Sequence, residues 1–154
     1  DALPILAEHQ LSPCCVLRGD WSAKSGYQAM LAQLPNALPQ ALLVANDEMA
    51  LGAMRALHQH GVAIPGDISL VGYDDTAESA WYQPPLTTIR QDLQQLGTHS
   101  VDQVLAELRG EAVASRTLEP MLVIRETTAV PASQNLDLSD LARQLQQIAR
   151  KLTR

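Results

Sequence analysis

Three short apolar runs alternate with two amphipathic stretches, and that alternation constrains the fold more than any other feature of the chain. Residues 14–17 form the first apolar run. Residues 22–34 follow, with Ala23, Tyr27, Met30, Leu31 and Leu34 close to helical spacing, and Pro35 and Pro39 closing the stretch. Residues 41–45 are unbroken apolar, the pattern of a strand buried on both faces of a parallel sheet. Residues 47–60 place Ala50, Ala53, Met54 and Leu57 on one helical face, and Gly61 is suited to end that helix. Residues 68–72 make a third strand-like run. Strand, helix, strand, helix, strand with short links predicts parallel strands joined by right-handed crossovers, a doubly wound α/β layout.

Residues 73–86 have no period and end in Pro84 and Pro85. Asp92 can cap a helix running to Leu108, with Gly97, Val101, Val104 and Leu108 along one side and Gly110 at its end. Residues 118–125 are strand-like, and residues 129–134 read as a linker containing Pro131. The tail differs: Leu138, Leu141, Leu145, Ile148 and Leu152 recur at spacings of 3, 4, 3 and 4. That seam suits either an amphipathic helix packed on its own domain or helices of several copies packed together.

Composition narrows the function classes. The chain has 154 residues, 46% hydrophobic and 18% charged, which is globular composition. Its net charge of −6 repels phosphate, so these residues are not expected to grip DNA or an anionic membrane themselves. No apolar run is long enough to span a bilayer. Asp1-Ala2-Leu3-Pro4 lacks the basic start and apolar core of an export signal, so a longer chain entered part-way is expected. Cys14 and Cys15 lack metal-binding or redox spacing. They are expected to be small buried hydrophobes on opposite faces of a strand, in a reducing compartment such as the cytosol.

In parallel sheets, ligands bind beyond the carboxyl ends of the strands. Arg18-Gly19-Asp20-Trp21 follows the first run, Asn46-Asp47 the second, and Tyr73-Asp74-Asp75 the third. Acids and an amide at one edge, with one indole, suit a neutral polyol. Carboxylates and amides hydrogen-bond to hydroxyls, and a flat aromatic covers the apolar face of a sugar ring. A phosphate ligand would want a glycine-rich loop, and none is present. Helix capping by Asn46, and by Asp20 or Ser22, is the plainer alternative for those residues. Asp74 has no helix directly after it to cap. No nucleophile elbow, acid/base pair or metal-ligand spacing stands out, so neither a catalytic role nor a cofactor is expected.

Several strings carry a further signal: Gly19-Asp20-Trp21-Ser22-Ala23, Leu43-Val44-Ala45-Asn46-Asp47, Met49-Ala50-Leu51-Gly52-Ala53-Met54-Arg55-Ala56, Val71-Gly72-Tyr73-Asp74-Asp75-Thr76 and Pro84-Pro85-Leu86-Thr87-Thr88-Ile89. In this order and spacing they resemble the C-terminal part of the LacI/GalR family of transcription repressors, over nearly the whole chain. The resemblance implies a periplasmic-binding-protein-like core of two lobes with a sugar inducer between them. It implies Trp21, Asn46, Asp74 and Gln91 as inducer contacts and Leu51 and Tyr82 at a dimer interface. A cleft-lining phenylalanine of the family appears as Leu93, and the chain has no Phe. By the same resemblance, residues 1–92 belong to the C-terminal lobe, incomplete at its start. Residues 93–121 belong to the otherwise absent N-terminal lobe, and residues 122–135 are the return strand and linker. Residues 136–154 are an oligomerisation helix in which Leu141, Leu145, Ile148 and Leu152 join dimers into a tetramer. Operator DNA would be read by an N-terminal headpiece outside this chain. Two other classes share the fold: an exported sugar receptor, which would lack the leucine seam, and an α/β enzyme acting on sugars, which would need a nucleophile or acid/base pair.

Overall fold

The structure is a computed structural model that describes residues 2–130. The linker and the leucine-seam helix expected at residues 131–154, with Leu141, Leu145, Ile148 and Leu152, lie outside the described residues.

Two helices and two parallel strands form the centre. Helix α2 spans Ala23–Gln33 and α3 spans Asp47–Gln59. Strand β1 (Ala41–Leu43) pairs in parallel with β2 (Ser69–Val71), Leu42 opposite Leu70. The amide of Val44 donates to the Val71 carbonyl, carrying the ladder one step further. Caps set both helix starts: the Ser22 hydroxyl accepts from the Ser25 amide and the Asn46 carboxamide oxygen from the Met49 amide. Gly61, at φ +71°, follows the end of α3 in a conformation that costs glycine nothing.

The core lies between these elements. Met30, Met54, Leu57, Ile68, Leu70 and Leu86 are buried, and burial stabilises each by about 1.5–3 kcal/mol. Helices α2 and α3 approach closely because glycine faces backbone at two points. A side chain at Gly26 would meet the Met49 backbone, and one at Gly52 would meet the Ala23 carbonyl.

The remaining elements are a short helix α1 (Ala2–Glu8), a 3-10 turn (Ser79–Trp81), strand β3 (Thr88–Arg90), helix α4 (Leu93–Leu108) and strand β4 (Met121–Val123). Strand β3 pairs antiparallel with β4, and single bridges (Val71 with Thr87, Asp74 with Arg90) set its path parallel to β2.

Three expectations need correction. Residues 14–17 do not form a strand: the run is irregular, and no strand lies beside it among the described residues. Strand β1 is not buried on both faces, since Leu43 is 61% exposed; among the described residues its only strand partner is β2. The cysteines are not buried back to back either. Cys14 is exposed, Cys15 half-buried, and their sulfurs stand 3.9 Å apart. The first and third share a cause, because an apolar run without a neighbouring strand has no ladder to hold it extended and covered; β1 has a ladder on one side only among the described residues.

Candidate effector-binding site

The carboxyl ends of β1 and β2 point to one edge, and hydrogen bonds draw the polar residues together there. The turn before α2 is knotted first. The Asp20 carboxylate accepts from the Ser22 amide at 3.1 Å and the Ser22 hydroxyl at 2.5 Å, and the Asp20 amide donates to the Ser25 hydroxyl at 3.0 Å. The hydrogen bond from the Ser22 side chain, helped by Ser25, lowers the Asp20 carboxyl to about 2. This turn holds Trp21 at φ +71° with its indole 65% exposed at the edge.

Asn46 joins that turn to β1. Its Nδ2 donates to the Trp21 carbonyl at 2.9 Å while its Oδ1 accepts from the Met49 amide at 2.9 Å. Each end of the carboxamide thus spends half its capacity, since a primary amide offers two donors and two lone pairs. Capping α3 and contacting a ligand are therefore compatible for this residue.

Beyond β2, the Asp47 amide donates to the Tyr73 carbonyl, setting Asn46 beside the loop that carries Asp74. Asp74 has φ +115°, and its amide donates to the Ile89 carbonyl at 2.9 Å. Its Oδ1 accepts from Nε2 of Gln91 at 2.9 Å. Oδ2 accepts no hydrogen bond among the described residues. The four predicted contacts thus form two linked pairs, Trp21 with Asn46 and Asp74 with Gln91. Leu93 begins α4 two residues beyond Gln91 and is 62% exposed.

Two acids beneath this edge escaped the sequence reading. Asp47 is fully buried; it accepts from the Thr88 hydroxyl at 2.6 Å and the Thr76 amide at 2.9 Å. Its carboxylate occupies the space that a side chain at Gly72 would need. Asp75, at φ +56°, pairs with Arg125 and with Arg90, both at 2.5 Å. Burial pushes the Asp75 carboxyl up, but hydrogen bonds and charge from Arg125 and Arg90 outweigh it and hold the group below its ordinary value. Arg125 also donates to the Leu86 carbonyl at 2.8 Å. The only sequence signal was the acid-rich Asn46-Asp47-Glu48 and Tyr73-Asp74-Asp75 runs.

The two predicted interface residues sit near each other. Leu51, one turn along α3 from Asp47, is 42% exposed. Tyr82 packs against the core, and its hydroxyl donates to the Asp47 carbonyl at 3.4 Å. Among the described residues no cluster of three metal-ligating side chains occurs, and no helix is long and apolar enough to cross a membrane.

The chain belongs to the periplasmic binding protein-like domain family, matched over residues 5–128. Its relatives include regulators. It is 48% identical over 151 residues to the lactose operon repressor of Escherichia coli K12, covering 97% of this chain and 42% of that protein. It is 39% identical over 127 residues to the transcriptional repressor PurR of Haemophilus influenzae PittEE, covering 79% of this chain and 38% of that protein. The crystal structure of the lac repressor dimer bound to operator and the anti-inducer ONPF superposes with a TM-score of 0.80 at 48% identity, covering 82% of this chain and 45% of that chain. The chain thus spans about two fifths of the length of these curated relatives.

Proposed function

We propose that this chain is the effector-binding and oligomerisation core of a DNA-binding transcriptional repressor of a sugar-utilisation operon, acting in the cytoplasm. The observation that carries this reading is the two hydrogen-bonded pairs, Trp21 with Asn46 and Asp74 with Gln91, at the carboxyl edge of the parallel strands. The exposed indole covers the apolar face of a pyranose. The unused Oδ2 of Asp74 and the remaining half of the Asn46 carboxamide take ring hydroxyls. The inducer is a β-galactoside-like sugar, held by binding alone with no turnover and no cofactor. Similarity to the lactose operon repressor supports the choice of ligand class.

The remaining assignments follow from the same reading. Residues 1–92 form the C-terminal lobe, α4 and the chain to residue 121 belong to an N-terminal lobe, and residues 122–135 return and link. Leu51 and Tyr82 lie at a dimer interface, and the leucine seam of residues 136–154 joins dimers into a tetramer. Operator DNA is bound through a headpiece outside this chain.

Asp74→Ala in the intact protein tests the site by calorimetric titration with a β-galactoside. Losing charge-assisted hydrogen bonds to a hydroxyl pair lowers affinity by about 100-fold or more. Unchanged affinity would remove Asp74 from the site and leave the sugar assignment without its main support.

A further inference from the structure

Cys14 and Cys15 lie outside the effector edge, and no role above uses them. They are the chain's only cysteines, neither is in a disulfide, and Cys14 is exposed while Cys15 is half-buried. Their sulfurs sit 3.9 Å apart on the same side of an irregular segment. A direct disulfide is poorly served, because α-carbons across a trans peptide are about 3.8 Å apart and disulfides usually need about 4.4–6.8 Å. A bridging atom between the sulfurs relieves that mismatch by enlarging the ring. No third or fourth ligand joins the pair among the described residues, so a four-coordinate zinc site is not formed. A soft centre satisfied by two thiolates fits the donor set.

We propose that Cys14 and Cys15 form a bidentate site for trivalent monosubstituted organoarsenicals. The arsenical enters as R–As(OH)2. Each thiol sulfur forms an As–S bond as one As–O bond breaks, and each thiol proton leaves with the departing hydroxide as water. Two waters are released and arsenic stays trivalent, so no oxidant or reductant is needed. Once one sulfur is bound, the second stands beside it, and closure is intramolecular. Burial first, then the hydrogen bond and charge of Cys14, push the Cys15 thiol up.

Phenylarsine oxide is the probe, applied to the 154-residue chain and followed by excess 2-mercaptoethanol. Intact mass is expected to show one phenylarsenic group per chain, with both thiols lost to titration, retained against the monothiol and removed by 2,3-dimercaptopropanol. Cys14→Ser and Cys15→Ser are each expected to lose the group on monothiol treatment while keeping the parent far-UV spectrum. A wild-type adduct stripped by monothiol, two thiols still titratable, or an adduct that persists in either variant overturns the proposal.

Discussion

At Asp75, burial and charge pull in opposite directions, and charge prevails. The carboxylate is 5% exposed and faces Arg125 at 17% and Arg90 at 48%. Its folded value is depressed, so the stability it contributes is present above the unfolded carboxyl value of about 3.9. That contribution is lost as pH falls through the lower folded value. Asp75→Asn is expected to cost about 3 kcal/mol near neutral pH, the low end for breaking a buried pair because Arg90 stands half in solvent. Melting temperatures of parent and variant should differ by a constant amount above about pH 5 and converge in acid. A gap that does not narrow would mean that the loss comes from packing instead of charge. The sequence showed where the runs of β1 and β2 end, and so pointed to Asn46 and Asp74; Trp21 follows a run that is not a strand. It did not show Asp47 or Asp75 as hubs, because their partners Thr88 and Arg125 lie 41 and 50 residues away.

Elements with a local pattern were legible, β4 (Met121–Val123) inside the strand-like run 118–125 among them, and β3 was not. Helices α2 and α3 were placed to within a residue at either end, because period, caps and closing residues agree. Strands β1 and β2 fall inside the expected runs. Thr88-Ile89-Arg90 carries no strand pattern of its own and becomes β3 by pairing with β4, with single bridges to the chain at β2. Residues 14–17 fail in the opposite way, being strand-like in composition with nothing alongside. The α2–α3 contact gives a prediction at this scale. Gly52→Ala gains helix propensity of about 1 kcal/mol, yet its methyl group meets the Ala23 carbonyl, which cannot rotate away. Overpacking prevails, and a net loss of about 1–3 kcal/mol is expected as a lower urea midpoint at unchanged slope.

At the scale of the whole molecule, α4 carries an apolar face that nothing covers among the described residues. None of its residues is buried; Leu93, Val101, Val104 and Leu108 are each more than half exposed. An apolar face of that kind seeks a cover, so the 154-residue chain alone is expected to self-associate. Light scattering after gel filtration checks this; a monodisperse species with a sharp melt would contradict it. In the intact protein, polar replacements at Leu145 and Ile148 should reduce a tetramer to dimers by sedimentation. An unchanged mass would place the joint elsewhere.

One small bond spans these scales. Gln91 holds Asp74 at 2.9 Å, and two residues later the chain enters α4. The acid of the proposed site is therefore moored to the tether of α4, a helix none of whose residues is buried. Any body that seats on α4 and turns it also works the mooring, and a guest that grips Asp74 resists the turn. Thermodynamic reciprocity then makes the two sites each other's effectors, with one coupling factor read from either end.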